Sequence, residues 1–392
     1  MFNYESVKNY QNEIIELLDD KSILVFDEIH KIKRIDGEYA KASLAIAQYA
    51  TYVVAMTGTP IPNSYQDIYN LLHILYFEEY DDFFGFSPNH LKNADASTMK
   101  TINAKLQPFF CRTTKQQLAV PPANSDSIIP VKASESETKL FRTLLKKHRK
   151  NKLLLMLRLL QLESNPQMLL SSINLSDYQY ILDDDCAIEE IDYADYSQDI
   201  VDCINQCGIS SKTTQLINLV NGLHIQGKQI VVWCIFVKTI DNLSNLFAAQ
   251  GIKVKCVYGE IPLEERQNIL AAFKKQEFDV LITNPNTLAE SISLHTVCHD
   301  AIYFEYSFNL VHLLQSKDRI HRLGLPSTQY TQFYFLQTMY KNDSSYYSMD
   351  EEIYHRLSLK EQIMLQAIEA DLLETLPSSD DELDIIFNQL GL

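Results

Sequence analysis

The chain has 392 residues, 46% of them hydrophobic, enough to build two or three packed domains and to exclude disorder throughout. Its 51 acids against 34 Lys and Arg give a net charge of −17, which taken alone argues against a nucleic-acid binder. The acid is concentrated, however: residues 159–211 carry −11 and residues 343–392 carry −10, leaving about +4 for the rest.

Residues 4–19 read as a helix, followed by a short apolar strand, Ser22 to Phe26, that ends in Asp27-Glu28-Ile29-His30. A helix over Tyr39–Tyr49 and a second strand, Tyr52 to Met56, come next. That strand runs into Thr57-Gly58-Thr59-Pro60 and a helix over Tyr65–Leu75. Two such strands joined by a helix predict an open parallel α/β sheet. Residues 135–162 are expected to form one long basic-apolar helix, capped by Ser134 or Ser136 and ended by Asn165-Pro166. The acidic, Tyr-rich run Asp177–Asp202 shows no period and reads as solvated loop. From Lys228 to Leu336 five strands alternate with helices, the pattern of a second, doubly wound parallel sheet. The tail over 349–376 reads as an amphipathic acidic helix.

The start, MFNYESVKNY, lacks the basic-then-apolar run of a signal peptide. The longest apolar stretch, Leu153 to Leu162, is broken by Arg158, so no membrane span is expected and a cytoplasmic location is. Seven cysteines, an odd number in apolar contexts, read as reduced thiols; Cys203 and Cys207 have no second pair at zinc-ligand spacing. His295, Cys298 and His299 could ligate a metal or simply pack. Trp233 reads as core, and Lys146-Lys147-His148-Arg149-Lys150 as either a solvated face or a DNA-phosphate contact.

Two constellations can carry chemistry. Ligands bind open α/β sheets beyond the carboxyl ends of the strands. There Asp27 suits a nucleotide-bound Mg²⁺, and Glu28 suits alignment of an attacking water. The same pair also reads as two acids opening a helix, favoured by its dipole. In Gln315-Ser316-Lys317-Asp318-Arg319-Ile320-His321-Arg322-Leu323-Gly324, a continuous helix would put Arg319 and Arg322 one turn apart. Two guanidinium groups so placed grip phosphate oxygens; alternatively they are a solvated face with Asp318 pairing Arg322.

DEIH, TGTP and QSKDRIHRLG in this order resemble helicase superfamily two, and further segments resemble its Swi/Snf-type DNA translocases. TGTPIPNSYQDIYNLLHIL is similar to the third motif and its helix. LQPFFCRTTKQQLAVPP is similar to the segment leaving the first lobe, with Arg112 and Lys115 in place. LESNPQMLL resembles the Asn-Pro turn after the helical insertion, and VYGEIPLEERQNILAAF the second-lobe motif with Gly259 and Arg266. The resemblance runs from about residue 20 to 340. It implies two RecA-like parallel sheets, with the back of a first lobe over 1–115 and a helical insertion over 116–225. A complete second lobe over 226–340 and an acidic helical tail over 341–392 follow. It also implies ATP and Mg²⁺ as cofactors and double-stranded DNA as partner. Asp27 and Glu28 correspond to the Walker B pair. By the same resemblance His30, Thr57, Gly58 and Thr59 link the nucleotide to the lobe interface, and Gln315, Arg319 and Arg322 approach the phosphates from the second lobe. The fifth motif falls on Leu281–Leu294, where Glu290 or Ser291 replaces the usual glycine. LAESISLHTVCHDAIYFE is similar to a bacterial subgroup often associated with restriction and phage-defence islands.

One part of the family pattern is missing. A motor of this kind carries G-x-x-x-x-G-K-[ST] before the Walker B strand, but residues 1–26 contain no glycine. Gly222 to Gln229 fits seven positions, yet it follows a helix and opens a strand, and Gln229 replaces the Mg²⁺-binding hydroxyl. The expectation is a motor portion inactive by itself, possible partners including an upstream chain that supplies the loop. The competing reading is a non-catalytic DNA- or protein-interaction module.

Overall fold

The computed structural model describes residues 1–58, 65–92, 94–109, 113–171, 198–285, 287, 292–369, 386–387 and 390. It forms two units, Met1–Cys111 with Ser358–Pro377, and Arg112–Leu357 with Ser378–Leu392. In the first, strands β1 (Ile23–Phe26) and β2 (Tyr52–Ala55) pair in parallel, joined through the helix Glu38–Ala47. Side chains alternate across a strand, so Leu24, Phe26, Val53 and Ala55 share one face and pack on a core that includes Ile68 and Leu72. The helix expected over 4–19 is two short ones, Tyr4–Val7 and Gln11–Glu16. The break spans Asn9, a residue type that favours turns over helix interiors.

The second unit holds a seven-stranded sheet. Its strands are β3 (Ser127–Lys132), β4 (Ile230–Trp233), β5 (Val254–Val257), β6 (Val280–Thr283), β7 (Asp300–Tyr303), β8 (Gln332–Asn342) and β9 (Ser345–Tyr347). The order is β3-β8-β7-β4-β6-β5, all parallel, with β9 antiparallel to β8. Every residue of β4, β6 and β7 is buried, as expected for parallel strands covered on both faces. Trp233 is among them and stacks on Tyr303, which makes it core. Both sheets are parallel apart from β9, with helices between their strands, so the chain is of the expected mixed α/β class.

Two elements differ from expectation. β3 lies in the segment assigned to a helical insertion, yet it pairs with β8 over six residues. It carries Pro130, which an edge strand tolerates and a central strand does not, and that proline hid it. The long helix over 135–162 is two, Glu135–His148 and Lys152–Ser164. Ser134 and Glu137 form a reciprocal capping box on the first, and the Asn151 side chain caps the second by accepting from the Leu154 N–H. The basic run 146–150 therefore sits at a helix C-terminus, where the dipole favours cations. In the segment read as a helical tail, β8 ends at Asn342 and Ser345–Tyr347 form β9, before the last long helix, Met349–Glu369, begins where the helix over 349–376 was expected.

Candidate functional site

The β1–β2 ladder continues past the strand ends. The Met56 N–H donates to the Phe26 carbonyl (2.8 Å) and the Ile29 N–H to the Met56 carbonyl (3.1 Å). This brings the DEIH turn against the residues leading to Thr57 and Gly58. Glu28 has φ 49° and ψ 49°, a left-handed conformation costly for a side chain with a Cβ. His30 Nδ1 lies 3.2 Å from Glu28 Oε2 and 2.9 Å from Thr57 Oγ1. Three predicted residues, Glu28, His30 and Thr57, are thus one hydrogen-bonded cluster, and Thr59 lies outside the described residues. Among the described residues nothing lies within 4 Å of where a Cβ on Gly58 would stand.

Asp27 is exposed beside this cluster, one carboxylate oxygen accepting from the Glu28 N–H at 3.0 Å. Its backbone carbonyl accepts from the Tyr4 hydroxyl at 2.8 Å. Burial, then the charges of Asp27 and Glu28, push that phenol well above its ordinary pKa and keep it a donor. An exposed carboxylate at a strand end is a hard oxygen donor of the kind Mg²⁺ takes, so Asp27 fits the ion. Asn70, which the sequence reading passed over, donates to the carbonyls of Ile32 (2.6 Å) and Arg34 (2.8 Å) and ties down the turn after His30. Its signal was an Asn inside the otherwise apolar helix Ile68–Leu75.

In the second unit the helix carrying Gln315 ends at Asp318, with Arg319 as its C-cap and Arg322 in the bend beyond. The two arginines are therefore not one turn apart on a helix face. Arg319 is buried, its backbone carbonyl accepting from the Leu294 N–H (2.8 Å) and its guanidinium donating to the Ile292 carbonyl (3.4 Å). Arg322 is exposed. Gly324 ends the segment at φ 102°, where a Cβ would come within 3.1 Å of the His295 ring, so glycine is required on both counts. His295 thus packs against the motif, and the Cys298 thiol donates to the backbone carbonyls of Gln229 and Asp300 (3.4 Å each). Among the described residues no three His, Cys, Asp or Glu are grouped as a metal site would need.

The 115–126 segment clasps the same motif. Lys115 pairs with Asp318 and donates to the His321 carbonyl (3.0 Å), while Lys317 pairs with Asp126 at 2.9 Å. His321 Nε2 donates to the Pro121 carbonyl (2.8 Å), and its Nδ1 faces the Lys115 ammonium at 3.2 Å. Desolvation lowers the His321 pKa, and Lys115 and Lys317 lower it further against the Pro121 bond and Asp318. A folded-state pKa below the unfolded value of about 6.5 means stability present above that pH and lost as pH falls through it. The protection factors of the amides over 313–324, corrected for intrinsic exchange, are therefore expected to fall below about pH 6. His321→Gln, which keeps a donor for Pro121, should flatten that dependence; an unchanged pH profile in the variant would refute the assignment.

Of the remaining motif residues, Arg266 donates to the carbonyls of Ile261 (2.7 Å) and Gly259 (3.4 Å), closing its turn. Gly227 has φ 71° between the helix Ser211–Ile225 and β4, a turn into a strand rather than a phosphate loop. Arg112, Glu290 and Ser291 lie outside the described residues. No described helix is long and apolar enough to cross a membrane.

The SNF2-related domain family matches residues 2–179, and the helicase conserved C-terminal domain matches residues 211–324. The mouse SWI/SNF-related matrix-associated actin-dependent regulator of chromatin subfamily A member 1 is 24% identical over 77% of this chain and 28% of its own length. Protein CHROMATIN REMODELING 4 of Arabidopsis thaliana is 23% identical over 77% of this chain and 13% of its own. The chain thus spans less than a third of either relative. The solved C-terminal part of the Fun30 ATPase domain aligns with 69% of this chain and 99% of its own, at 19% identity and a TM-score of 0.46. An SNF2-related domain followed by a helicase conserved C-terminal domain makes this chain similar to the Swi/Snf-type helicases of superfamily two.

Proposed function

We propose that this chain is part of an ATP-driven motor that translocates along double-stranded DNA in a bacterial cytoplasm. The observation that carries the reading is the Glu28–His30–Thr57 cluster beside Asp27 at the carboxyl edge of β1 and β2. Glu28 is assigned to orienting the attacking water and accepting its proton. His30 holds that carboxylate and passes its position to Thr57, so the state of the strand end is felt in the loop that follows. Asp27 would hold Mg²⁺, which when bound neutralises phosphate charge. On the second unit, Gln315 and the exposed Arg322 are assigned to phosphate recognition. Arg319, anchored to Ile292 and Leu294, positions that segment.

ATP hydrolysis on this reading also needs a G-x-x-x-x-G-K-[ST] loop beside the Asp27–Glu28 edge, a segment that residues 1–26 do not contain. Alone, residues 1–392 are expected to show background ATP hydrolysis with or without linear duplex DNA. Joined to a loop-bearing polypeptide they should hydrolyse ATP in a DNA-stimulated manner, the stimulation weakening as salt rises. A robust DNA-stimulated rate from residues 1–392 without such a loop would overturn the requirement for it. DNA binding by the joined pair without any turnover would favour an interaction module instead.

A further inference from the structure

The helix Glu135–His148 turns a basic stripe to solvent. Its buried residues Glu137, Leu140, Phe141, Leu144 and His148 recur every three or four positions. They face the interior of the unit, where Phe141 stacks on Tyr340 at 4.7 Å and on Tyr347 at 5.7 Å. At about 100° per residue, Lys139, Arg142 and Lys146 fall on the opposite side, and all three are exposed. They span about 10 Å of helix axis. Arg149 and Lys150, exposed in the turn beyond, prolong the stripe. The Arg142 guanidinium donates to the Lys341 carbonyl at 3.1 Å, which brings the exposed end of β8 alongside the helix.

This face differs from an ordinary solvated one. Among the described residues no carboxylate lies within 4.0 Å of the charged groups of Lys139, Arg142, Lys146, Arg149, Lys150 or Lys341. Glu135 opens the helix, where the dipole favours an acid, and Asp343 lies past Lys341, but neither pairs with the six. In a chain with 51 acids against 34 Lys and Arg, six neighbouring cations without an acid partner form a marked excess of one sign. The helix dipole accounts for cations in the last turn, but not for Lys139 in the second turn or for Lys341 on another element. Along 135–152 no large apolar side chain is exposed, so the stripe offers nothing to insert into a lipid surface. One exposed ring, Tyr346 beside Lys341, is too few to stack successive bases of a single strand.

We infer that the face formed by Lys139, Arg142, Lys146, Arg149, Lys150 and Lys341 is a contact for the phosphate backbone of duplex DNA. It uses none of the residues assigned to ATP chemistry. The inference rests on the motor reading for the identity of the duplex and adds to it a surface on the insertion. Cations at intervals of one helical turn meet successive phosphates and release their counterions, which makes the contact strong at low salt. Such contacts read no bases, so they hold the duplex whatever its sequence, as a translocating protein requires.

Equilibrium binding of the purified chain to a fluorescent DNA duplex of arbitrary sequence, measured without nucleotide over a salt series, tests the surface. Lys139→Ala, Arg142→Ala and Lys146→Ala together should weaken binding about tenfold or more at low salt. The slope of log K against log salt should fall by about 2–3, because each lost phosphate contact removes about 0.9. The urea midpoint read by Trp233 should stay where it is, since the three side chains are exposed. A control with Lys253→Ala, Lys255→Ala and Lys275→Ala, exposed elsewhere on the same unit, should keep the parent slope. No duplex binding at low salt, an unchanged slope in the first variant, or an equal loss in the control would overturn the inference. Tighter capture by phosphatidylserine vesicles or by an RNA duplex would overturn it too. If the slope falls as expected but DNA never stimulates ATP turnover of the loop-joined motor, the contact stands and the motor reading fails. If DNA stimulates turnover while the slope ignores the triple variant, the motor stands and this surface is wrong.

Discussion

Replacing Lys212 by Met is expected to destabilise the second unit by about 3–5 kcal/mol. Lys212 is 1% exposed, and its ammonium donates to both carboxylate oxygens of Asp350, at 2.7 and 2.8 Å. Asp350 also accepts from the Thr338 N–H at 3.0 Å, and Glu163 caps the last long helix by accepting from the N–H groups of Met349 (2.9 Å) and Asp350 (3.0 Å). Two buried carboxylates thus lie in the field of one ammonium, which is hydrogen-bonded to Asp350. Desolvation, then Asp350, push the Glu163 carboxyl up, while Lys212 and the two N–H groups draw it down. Without the lysine both acids are buried with an uncompensated charge, which protonation relieves only as the pH drops, so the loss should shrink toward acid. Replacing Lys212 and Asp350 together with apolar residues should recover part of it, since deleting both partners removes the orphan. The chain has a single tryptophan, Trp233, buried in this unit, so its fluorescence during urea unfolding reports the right transition. A loss below about 1 kcal/mol would show that the network is dispensable.

On the proposed motor reading, Glu28→Gln is expected to lower DNA-stimulated ATP turnover by about 10²- to 10⁴-fold, with nucleotide and DNA affinity retained. The amide keeps the size and hydrogen-bond reach of the carboxylate but cannot accept the proton of the attacking water. A rate within a factor of about three of the parent would remove Glu28 from the chemistry. A second substitution series reads the backbone. At φ 49° any Cβ is strained, so Glu28→Gly should be more stable than Glu28→Ala by about 1 kcal/mol. Equal stabilities would mean that the turn relaxes when the side chain is cut back. Backbone strain at a residue assigned to catalysis is a recurrent feature of sites kept for function rather than for folding.

Much of this organisation was written locally. Short apolar strands ending in polar turns are signals of a few residues, and so are Pro166 after a helical run and the ordered motifs. The alternation over 228–336 has the five strands it predicted, because each is an apolar run bounded by polar turns. β3 escaped because Pro130 makes an edge strand look like a linker. The single helix over 135–162 was an error of the same kind: apolar periodicity persists across Asn151, but its side chain caps a new helix instead of extending the old one.

Long-range pairings left no such trace. Lys212 and Asp350 are 138 residues apart, Lys115 and Asp318 are 203, and neither pair has a sequence pattern that announces it. The sequence by itself determined which residues end which strands: Asp27 and Glu28 after β1, and Thr57 after β2. It also determined that the acid is concentrated in two segments, 159–211 and 343–392, which carry −11 and −10 against about +4 for the rest. Only the tertiary structure decided that Glu28, His30 and Thr57 meet, that Arg319 is buried while Arg322 is exposed, and that Arg142 and Lys341 share one basic face. The reason is physical. A strand's identity follows from its own side chains, whereas its partners, its burial and the free energy of its buried charges follow from what the rest of the chain places beside it.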